Sequence, residues 1–365
     1  MRLTLTLLAF ALLGPSAHAQ FDIEDSHTTA SLRGIHNVGG GVAWASGTNG
    51  TVLRTEDGGY LWQTCNIPPG AEKLDFRGIQ AFDENTAIVM SSGTGDLSRI
   101  YKTTDGCQTW KLMFTNPDKE GFWDALQFFD RNDAFLLGDP VDGRFVLMGT
   151  LDGGSHWVRV DTSDLKPQTE KAGAFAASNS SLLADSFVTG GANGSFFYQA
   201  DHVCTMTIAQ TIPAECIRSG LRFDPTKLPL DSANSSSGAF SVAGKDRLMI
   251  AVGGDYMKPD QVSGTAAYFD SYFSGWFPSK TPPHGYRSAV AYDADQKLWI
   301  AVGPNGSDIS RDDGKNWTPL KPSPQDPPDT DKNWNALSLP FVVGPKGRIG
   351  RLRTIAETEN RPAKK

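Results

Sequence analysis

The sequence predicts an all-β fold, a seven-bladed β-propeller of four-stranded antiparallel blades. A box of the form Ser/Thr-x-Asp-x-Gly-x-x-Trp, here called the Asp box, occurs four times, and its first three aspartates, Asp57, Asp105 and Asp152, lie 48 and 47 residues apart. A tight turn between two apolar runs precedes each box, so one repeat holds four short strands. Such a period is typical of a propeller blade. The 365-residue chain has room for about seven repeats of this length.

The first 19 residues have the pattern of a secretory signal peptide. Arg2 supplies the positive charge, residues 3–13 form the apolar stretch, and Ala17-His18-Ala19 fits the small-x-small cleavage rule. The apolar stretch is too short to span a bilayer, and no later segment is apolar enough for a membrane helix. We therefore expect cleavage after Ala19 and a periplasmic or secreted protein without a transmembrane segment.

Seven repeats emerge when the turns and the strands before them are aligned. Asn-Gly and Asp-Gly pairs in these turns supply the positive φ angles of a type I′ hairpin. The turns are centred on Asn49-Gly50, Gly95-Asp96, Asp142-Gly143, Asn193-Gly194, a longer loop within residues 248–269, Asn305-Gly306 and Lys346-Gly347. The first strands before them are predicted to begin at Leu32, Phe76, Trp123, Ala172, Ser237, Arg287 and Trp334. A small residue at the third place of each strand indicates tight packing near a crowded axis.

The propeller is predicted to occupy residues 20–353. The last repeat lacks a fourth strand because the chain after Leu352 is polar and basic, whereas residues 21–30 precede the first repeat without belonging to it. We expect this N-terminal stretch to supply the missing strand and close the ring, which also covers an open sheet edge. Residues 354–365 are predicted to be a disordered tail. A six-bladed ring with one insertion is the alternative architecture.

The Asp boxes are interpreted as structural turns rather than as catalytic or calcium sites. The carboxylate can accept hydrogen bonds from backbone N–H groups two or three residues further on, and the Trp can pack as an apolar clamp between neighbouring sheets. Calcium would require more oxygen ligands than one box offers. The residues given these structural roles are Asp57 and Trp62, Asp105 and Trp110, Asp152 and Trp157, and Asp312 and Trp317.

The four cysteines leave the disulfide pattern open. An exported protein can form disulfides, and Cys204 and Cys216 are close enough in sequence to close one loop. A bond between Cys65 and Cys107 is less favoured, because these residues lie in consecutive repeats. A metal site is not expected, since no Cys and His residues cluster at ligand spacing.

Two parts of the sequence resemble known propellers. The Asp boxes by themselves resemble the bacterial neuraminidase repeat, which occurs in sialidases and other propellers. The longer repeat, with Leu32-Arg33-Gly34-Ile35 followed by Gly47-Thr48-Asn49-Gly50 and the first box, resembles the photosystem II stability/assembly factor family. The likeness covers residues 31–160 and 285–350. It implies a seven-bladed lumenal or periplasmic propeller that acts as a chaperone-like scaffold for a membrane reaction-centre protein, in a broad family that includes many proteins of non-photosynthetic bacteria.

We therefore expect a non-enzymatic scaffold, monomeric and without a cofactor, that binds a protein partner in the cell envelope or at the membrane surface. A glycan is a second candidate ligand, and the formal net charge of −7 argues against nucleic-acid binding. First strands line the channel of a propeller, where arginines can hold a carboxylate. The predicted binding residues at the channel mouth are Arg33, Arg77, Asp124, Arg287, Trp334 and Asn335, and no residue is predicted to be catalytic.

The competing hypothesis is a sialidase-like glycoside hydrolase or a carbohydrate-binding propeller. Sialidases hold a carboxylate with an arginine cluster beside a Tyr–Glu pair and an Asp acid/base, whereas this chain lacks their Arg-Ile-Pro motif. Convergence of Arg33, Arg77 and Arg287 would favour the enzyme, and arginines spread around the rim would favour the scaffold. A purely structural explanation is that Arg33 and Arg77 pair with channel acids such as Asp124.

Two long insertions are further candidates for recognition, because loops on a rigid ring commonly carry binding residues. One spans residues 206–234 and is predicted to lie between blades four and five. The other spans residues 254–264 within blade five. The aromatic stretch 268–277 that follows is either a core strand with a degenerate box or a contact surface.

Overall fold

The computed structural model describes residues 20–162, 165–200, 221–324 and 326–355. It is all-β, with 28 strands in seven four-stranded antiparallel sheets, and the 3-10 turn Gly95–Leu97 is the only helical element in these ranges. The predicted signal peptide (1–19), Cys204, Cys216 and most of the predicted tail (356–365) lie outside the described residues. No helix in the described ranges is long and apolar enough to cross a membrane.

The strands, in chain order, are β1 Phe21–Glu24, β2 Leu32–Gly39, β3 Val42–Gly47, β4 Val52–Thr55, β5 Gln63–Thr64, β6 Phe76–Ala81, β7 Ala87–Ser91, β8 Arg99–Thr103, β9 Lys111–Thr115, β10 Trp123–Phe128, β11 Ala134–Val141, β12 Arg144–Thr150, β13 Val158–Arg159, β14 Leu182–Leu183, β15 Ser186–Thr189, β16 Ser195–Ala200, β17 Phe223–Leu228, β18 Ser237–Lys245, β19 Leu248–Asp255, β20 Ala266–Asp270, β21 Gly275–Pro278, β22 Ala289–Asp293, β23 Leu298–Val302, β24 Ser307–Ser310, β25 Thr318–Leu320, β26 Ala336–Ser338, β27 Phe341–Val343 and β28 Ile349–Leu352.

Successive groups of four strands form the blades. Blades 1 to 6 are β2–β5, β6–β9, β10–β13, β14–β17, β18–β21 and β22–β25, each paired in chain order, and blade 7 consists of β26, β27, β28 and β1. The prediction of a seven-bladed propeller with four-stranded blades is confirmed, and the six-bladed alternative is wrong.

The N-terminal strand completes the last blade. Strand β1 pairs antiparallel with β28, from Phe21 opposite Leu352 to Glu24 opposite Ile349. Phe21 is buried against the Trp334 ring, with 5.5 Å between the ring centroids. The two ends of the propeller therefore stabilise each other within one sheet.

Three of the predicted turns, Asn49-Gly50, Asp142-Gly143 and Lys346-Gly347, have a positive φ at both residues, whereas Asn193-Gly194 and Asn305-Gly306 have it at only one. Asn49 and Gly50 have φ angles of 59° and 67°, and Asp142 and Gly143 have φ angles of 52° and 74°, as a type I′ turn requires. At Gly50 a Cβ atom would also lie 2.5 Å from the Ala71 carbonyl oxygen. Glycine is therefore required at this turn both by backbone conformation and by space.

Each Asp box forms a turn held by its aspartate. Thr55 Oγ1 donates to Asp57 Oδ1 over 2.8 Å, and the Leu61 N–H donates to the same oxygen over 3.0 Å. The strongest amide bond therefore reaches four residues rather than the predicted two or three, and the Tyr60 N–H three residues on makes a smaller contribution. Hydrogen bonds from the Thr109 hydroxyl and N–H lower the pKa of Asp105 to about 2. The same arrangement recurs at Thr103, Asp105 and Thr109, at Thr150, Asp152 and His156, and at Ser310, Asp312 and Asn316.

The box tryptophans pack each blade against the preceding blade. All four are buried. Their contacts are Trp62 with Phe341 (ring centroids 5.6 Å apart), Trp110 Nε1 with the Asn66 carbonyl (2.9 Å), Trp157 with Phe114 of β9 (ring centroids 6.5 Å apart) and Trp317 Nε1 with Ser279 Oγ (3.3 Å). The box is therefore both a turn and an inter-blade clamp, and these geometries support a structural role.

A disulfide between Cys65 and Cys107 links blades 1 and 2, which is the pairing that the sequence favours less. Their Cα atoms are 5.3 Å apart, and both residues are buried. Consecutive repeats are neighbours in the ring, so the residue after the outermost strand β5 meets the next blade's Asp box. Cys107 takes the place that Gly59 holds in the first box and has a φ of 62°.

The described part of the predicted insertion, residues 221–234, belongs in part to blade 4 and does not only connect blades 4 and 5. It contains β17, the outermost strand of that blade, which pairs with β16 from Ser195 opposite Leu228 to Ala200 opposite Phe223. In blade 5, β20 and β21 pair through the aromatic stretch, and Tyr272 and Phe273 at the tip between them are 87% and 67% exposed.

Candidate functional site

Residues 174–181 cross the central channel, so that of the predicted first strand of blade 4 only Gly173 pairs near its start, through an isolated antiparallel bridge to Gly190. The Ala176 carbonyl accepts a hydrogen bond of 3.0 Å from Arg77 Nη1 in blade 2. Ser178 Oγ donates over 2.8 Å to the Ser288 carbonyl, next to the innermost strand of blade 6. Blades 2 and 6 each stand two places from blade 4, so this segment must lie near the axis. The first strand of blade 4 begins only at Leu182.

The composition around this segment explains its position. Residues 172–181 contain five small apolar residues in a run interrupted only by Phe175, followed by serines and Asn179, and such side chains fit a narrow channel. Asn179 accepts from the Leu126 N–H over 2.7 Å and donates to the Leu126 carbonyl over 2.8 Å. Its positive φ of 62° marks the bend back toward the blade.

A cavity of about 1090 Å³ opens at the channel mouth, and the crossing segment forms part of its wall. It holds five of the six predicted binding residues, namely Arg33, Arg77, Asp124, Trp334 and Asn335. The cavity also has an aromatic wall and a group of acids that the sequence did not single out. These additional residues are Glu120, Phe122, Asp139, Glu170, Phe175, Phe240, Tyr256 and Tyr286.

Alternation along the first strands decides which side chains reach the channel. Arg33, Arg77 and Asp124 each hold the second place of their row. Arg287 holds the first place and is fully buried inside the blade, so Ser288 borders the cavity and Arg287 does not, although the first-place residues Ala172 and Trp334 do reach the cavity wall. The prediction that Arg287 joins the channel-mouth group is therefore wrong.

Arg287 instead anchors blade 6 from inside. Its Nε donates to Asp308 Oδ2 over 2.8 Å, its Nη2 also contacts that carboxylate, and its Nη1 donates to Asn305 Oδ1 over 2.6 Å. The side chains of Arg287 and Asp308 are both fully buried. His284 Nδ1 lies 2.8 Å from the other oxygen of Asp308. The donors of the Arg287 guanidinium are therefore hydrogen-bonded to acceptors within blade 6.

Arg33 and Arg77 share the cavity but differ in their partners. Arg77 Nε donates to Asp75 Oδ2 over 2.9 Å, in addition to its bond to the Ala176 carbonyl. Arg33 Nε is buried without a hydrogen-bond partner, and Arg33 forms no salt bridge in the described part of the chain. Burial, and then the charge of Arg77, lower the pKa of Arg33. Arg33 is therefore the cation in the interior of this cavity with capacity left for a ligand, whereas Lys171 is exposed at the mouth.

An aromatic cluster faces the cavity. The Phe240 ring stacks on Phe175 with 3.8 Å between centroids and meets Tyr286 edge-on at 4.8 Å. Tyr256 lies 6.1 Å from Phe240 and is 48% exposed at the rim. Burial raises the pKa of Tyr286. This wall offers apolar surface in the same cavity as the unpaired arginine.

Two acids of blade 3 occupy the cavity as well. Asp124 is 1% exposed, and burial raises its pKa well above the usual range. Burial also raises the pKa of Asp139 to about 6, while its Oδ1 accepts from the Ala174 N–H over 3.0 Å. Sequence reasoning missed Asp139, although an acid before Pro140 at the irregular end of β11 is a readable signal. In the described ranges no three His, Cys, Asp or Glu residues are placed to hold a metal ion.

Comparisons with known proteins identify the fold. No family model and no curated protein match the chain. A structure of YCF48 bound to D1 peptide superposes with a TM-score of 0.63 at 16% identity, covering 93% of this chain and 98% of that one. YCF48 from Cyanidioschyzon merolae gives 0.52 at 16% identity, covering 92% and 99%. A GH74 xyloglucanase from Xanthomonas campestris gives 0.54 at 14% identity over 92% of this chain and 54% of its own. The likeness at these identities is one of fold.

Proposed function

We propose that this protein is an exported, non-enzymatic scaffold that binds a segment of a partner protein in the cell envelope at the channel-mouth cavity. The observation that carries the proposal is Arg33, a largely buried cation without a carboxylate partner in the described chain. The signal-peptide pattern of residues 1–19 supports export.

The cavity suits an acidic and apolar peptide segment. A carboxylate, from a side chain or a chain end, can accept charge-assisted hydrogen bonds from Arg33, and burial strengthens them. An apolar side chain can pack on Phe240 and Tyr286. Aromatic and arginine side chains in a desolvated pocket are the residues that commonly dominate binding energy.

The rim offers more contact surface. Met257 and Val262, in the loop between β19 and β20, are 69% and 44% exposed, and Leu97 in the turn of blade 2 is 50% exposed. Exposed apolar residues around a cavity favour a macromolecular ligand. YCF48, a propeller of the same fold, has been solved with a bound peptide, which supports a protein segment as the ligand.

The placement of the arginines argues against a sialidase-like enzyme. Such a site needs three arginines on one carboxylate, whereas of the arginines in the described ranges only Arg33 and Arg77 border the cavity, and Arg287 binds Asp308. Arg77 is also held by Asp75. One unpaired arginine can bind a carboxylate but does not supply the three-arginine clamp.

Replacing Arg33 by alanine is expected to weaken partner binding by about 30-fold or more, because a buried charge-assisted contact is lost. The partner is captured from the envelope fraction with the tagged protein, identified by mass spectrometry and purified for titration calorimetry. Arg131→Ala is the matched control, since Arg131 is 62% exposed and paired with Asp83 beside the Asp box of blade 3.

Two results would reject this function. One is an Arg33→Ala protein that binds the purified partner as tightly as the wild type. The other is the absence of a stoichiometric partner together with hydrolysis of a sialoside or xyloglucan by the pure protein. Unchanged binding by Arg131→Ala excludes a general effect of removing surface charge.

A further inference from the structure

The geometry points to a second, cation-binding subsite in the same cavity, in which Asp124 and Asp139 take the ammonium or guanidinium group of a lysine or arginine side chain. This inference rests on the proposed function in one respect, because the basic group would belong to the bound segment. It adds the requirement that the ligand carry a basic side chain, which binding to Arg33 does not impose.

The first observation that supports this subsite is the buried carboxyl group of Asp124. Its side chain is almost completely buried, with 1% of the residue exposed, yet it borders the cavity. Its Oδ2 is buried and has no hydrogen-bond partner among the described residues. A buried acceptor without a donor costs free energy unless something supplies one. A ligand donor at this point would satisfy Asp124.

Asp139 adds a second carboxyl group at that point. It belongs to β11, which pairs with the Asp124-bearing strand β10 through Trp123 opposite Gly138, so the two acids come from adjacent strands of one blade. Asp139 borders the cavity, and its Oδ1 accepts from the Ala174 N–H. Neither acid forms a salt bridge with a described residue. A positively charged ligand group would therefore stabilise the ionised form of both carboxyl groups.

Arg77, whose charge partly offsets the burial that raises the pKa of Asp124, forms no salt bridge or hydrogen bond with either acid. Arg77 spends its Nε on Asp75 and its Nη1 on the Ala176 carbonyl. The other charged groups that border the cavity are Arg33, Glu120, Glu170 and Lys171, of which the last three are exposed at the mouth. Blade 3 therefore presents an acidic subsite to the ligand, separate from the arginines of blades 1 and 2.

Burial raises the pKa values of the two acids when no ligand is bound. It raises the pKa of Asp139 to about 6, and it raises the pKa of Asp124 well above the usual range of an aspartate. A bound cation favours the ionised carboxylates and lowers both pKa values again. Since the unbound acids take up protons as the pH falls, binding of a basic group should weaken below about pH 6.

Two blocked dipeptides test the subsite without the carboxylate that Arg33 would bind. Acetyl-Phe-Lys-amide and acetyl-Phe-norleucine-amide differ in the ammonium group, and both offer a phenyl ring to the aromatic wall. Titration of the whole protein at about pH 8, followed by NMR or calorimetry, is expected to show at least about tenfold tighter binding of the lysine peptide.

Single substitutions test whether the preference for the lysine peptide depends on these two acids. Asp139→Asn should abolish it, whereas Glu120→Gln, which removes an exposed carboxylate at the same cavity, should keep it. Asp139→Asn is nearly isosteric and is checked for folding by circular dichroism, and Asp124→Asn provides a second test. In the wild type the preference should shrink between about pH 8 and pH 5, and Glu120→Gln should show the same pH dependence.

The inference is overturned if the two dipeptides bind equally, if neither binds at millimolar concentration, or if the lysine preference survives in Asp139→Asn. These outcomes are separable from failure of the proposed function. Arg33→Ala should leave the lysine preference intact, because the blocked peptides carry no carboxylate. Loss of partner binding in Arg33→Ala and loss of lysine preference in Asp139→Asn are thus independent readouts.

Discussion

Replacing Arg287 by alanine is expected to lower the free energy of unfolding by about 3–5 kcal/mol, one of the two largest effects we predict. The truncation leaves the Asp308 carboxylate fully buried without its guanidinium. Asn305 also loses the donor to its Oδ1. An uncompensated buried charge is among the most destabilising changes a single substitution can make. Urea unfolding followed by Trp fluorescence measures the change.

Arg33→Ala is the matched control for this prediction. Arg33 has no salt bridge in the described chain, so its removal strands no carboxylate and should change the free energy of unfolding by less than about 1 kcal/mol. Equal unfolding midpoints for Arg287→Ala and the wild type would contradict the assigned role of the buried pair.

Removing the inter-blade disulfide is the second large effect. The double variant Cys65→Ala/Cys107→Ala releases a crosslink that spans 42 residues. The chain-entropy model gives about 4 kcal/mol for a loop of that length, lost because the unfolded chain is no longer restricted. Packing around the two buried sulfurs adds to this cost. Urea unfolding without added reductant measures the difference.

The single variants provide the internal control for the disulfide. Cys65→Ala and Cys107→Ala each remove the same crosslink, so both should unfold at nearly the same urea concentration as the double variant. An unchanged midpoint in the double variant would show that the bond between blades 1 and 2 does not stabilise the ring.

Repetition made the architecture predictable from sequence. The Asp boxes, the turn at Asn49-Gly50 and the rows that begin at Leu32 and Phe76 repeat at blade spacing, so each confirms the others. The count of seven blades and the box tryptophans as inter-blade clamps follow from that regularity. Both are properties of a repeating backbone and do not depend on one side chain's surroundings.

The site was less predictable because it depends on departures from the repeat. Arg287 looks like the channel arginines until its place in the row is counted, since a shift of one residue turns a strand side chain to the opposite face. The buried Asp308 that receives it is distant in sequence. Residues 172–181 match the first-strand pattern in their small residues, yet residues 174–181 cross the channel.

Pairings across blades were also hard to foresee. Cys65 and Cys107 lie in consecutive repeats, and only the ring geometry shows that the end of one blade meets the box of the next. Asp139 belongs to a second strand, whereas sequence reasoning looked for channel residues in first strands. Its position became apparent only once the β-bulge near Gly138 was known.

Site-specific photo-crosslinking tests the central claim, binding at the channel mouth, most directly. A benzophenone amino acid replaces Tyr256 at the cavity rim or, in the control, Tyr60 in the first Asp box, where it is 76% exposed. The box turns and the cavity lie at opposite ends of the strands. We predict that the partner crosslinks from position 256 and that Arg33→Ala suppresses this product. Crosslinking from position 60 and not from position 256 would contradict the claim.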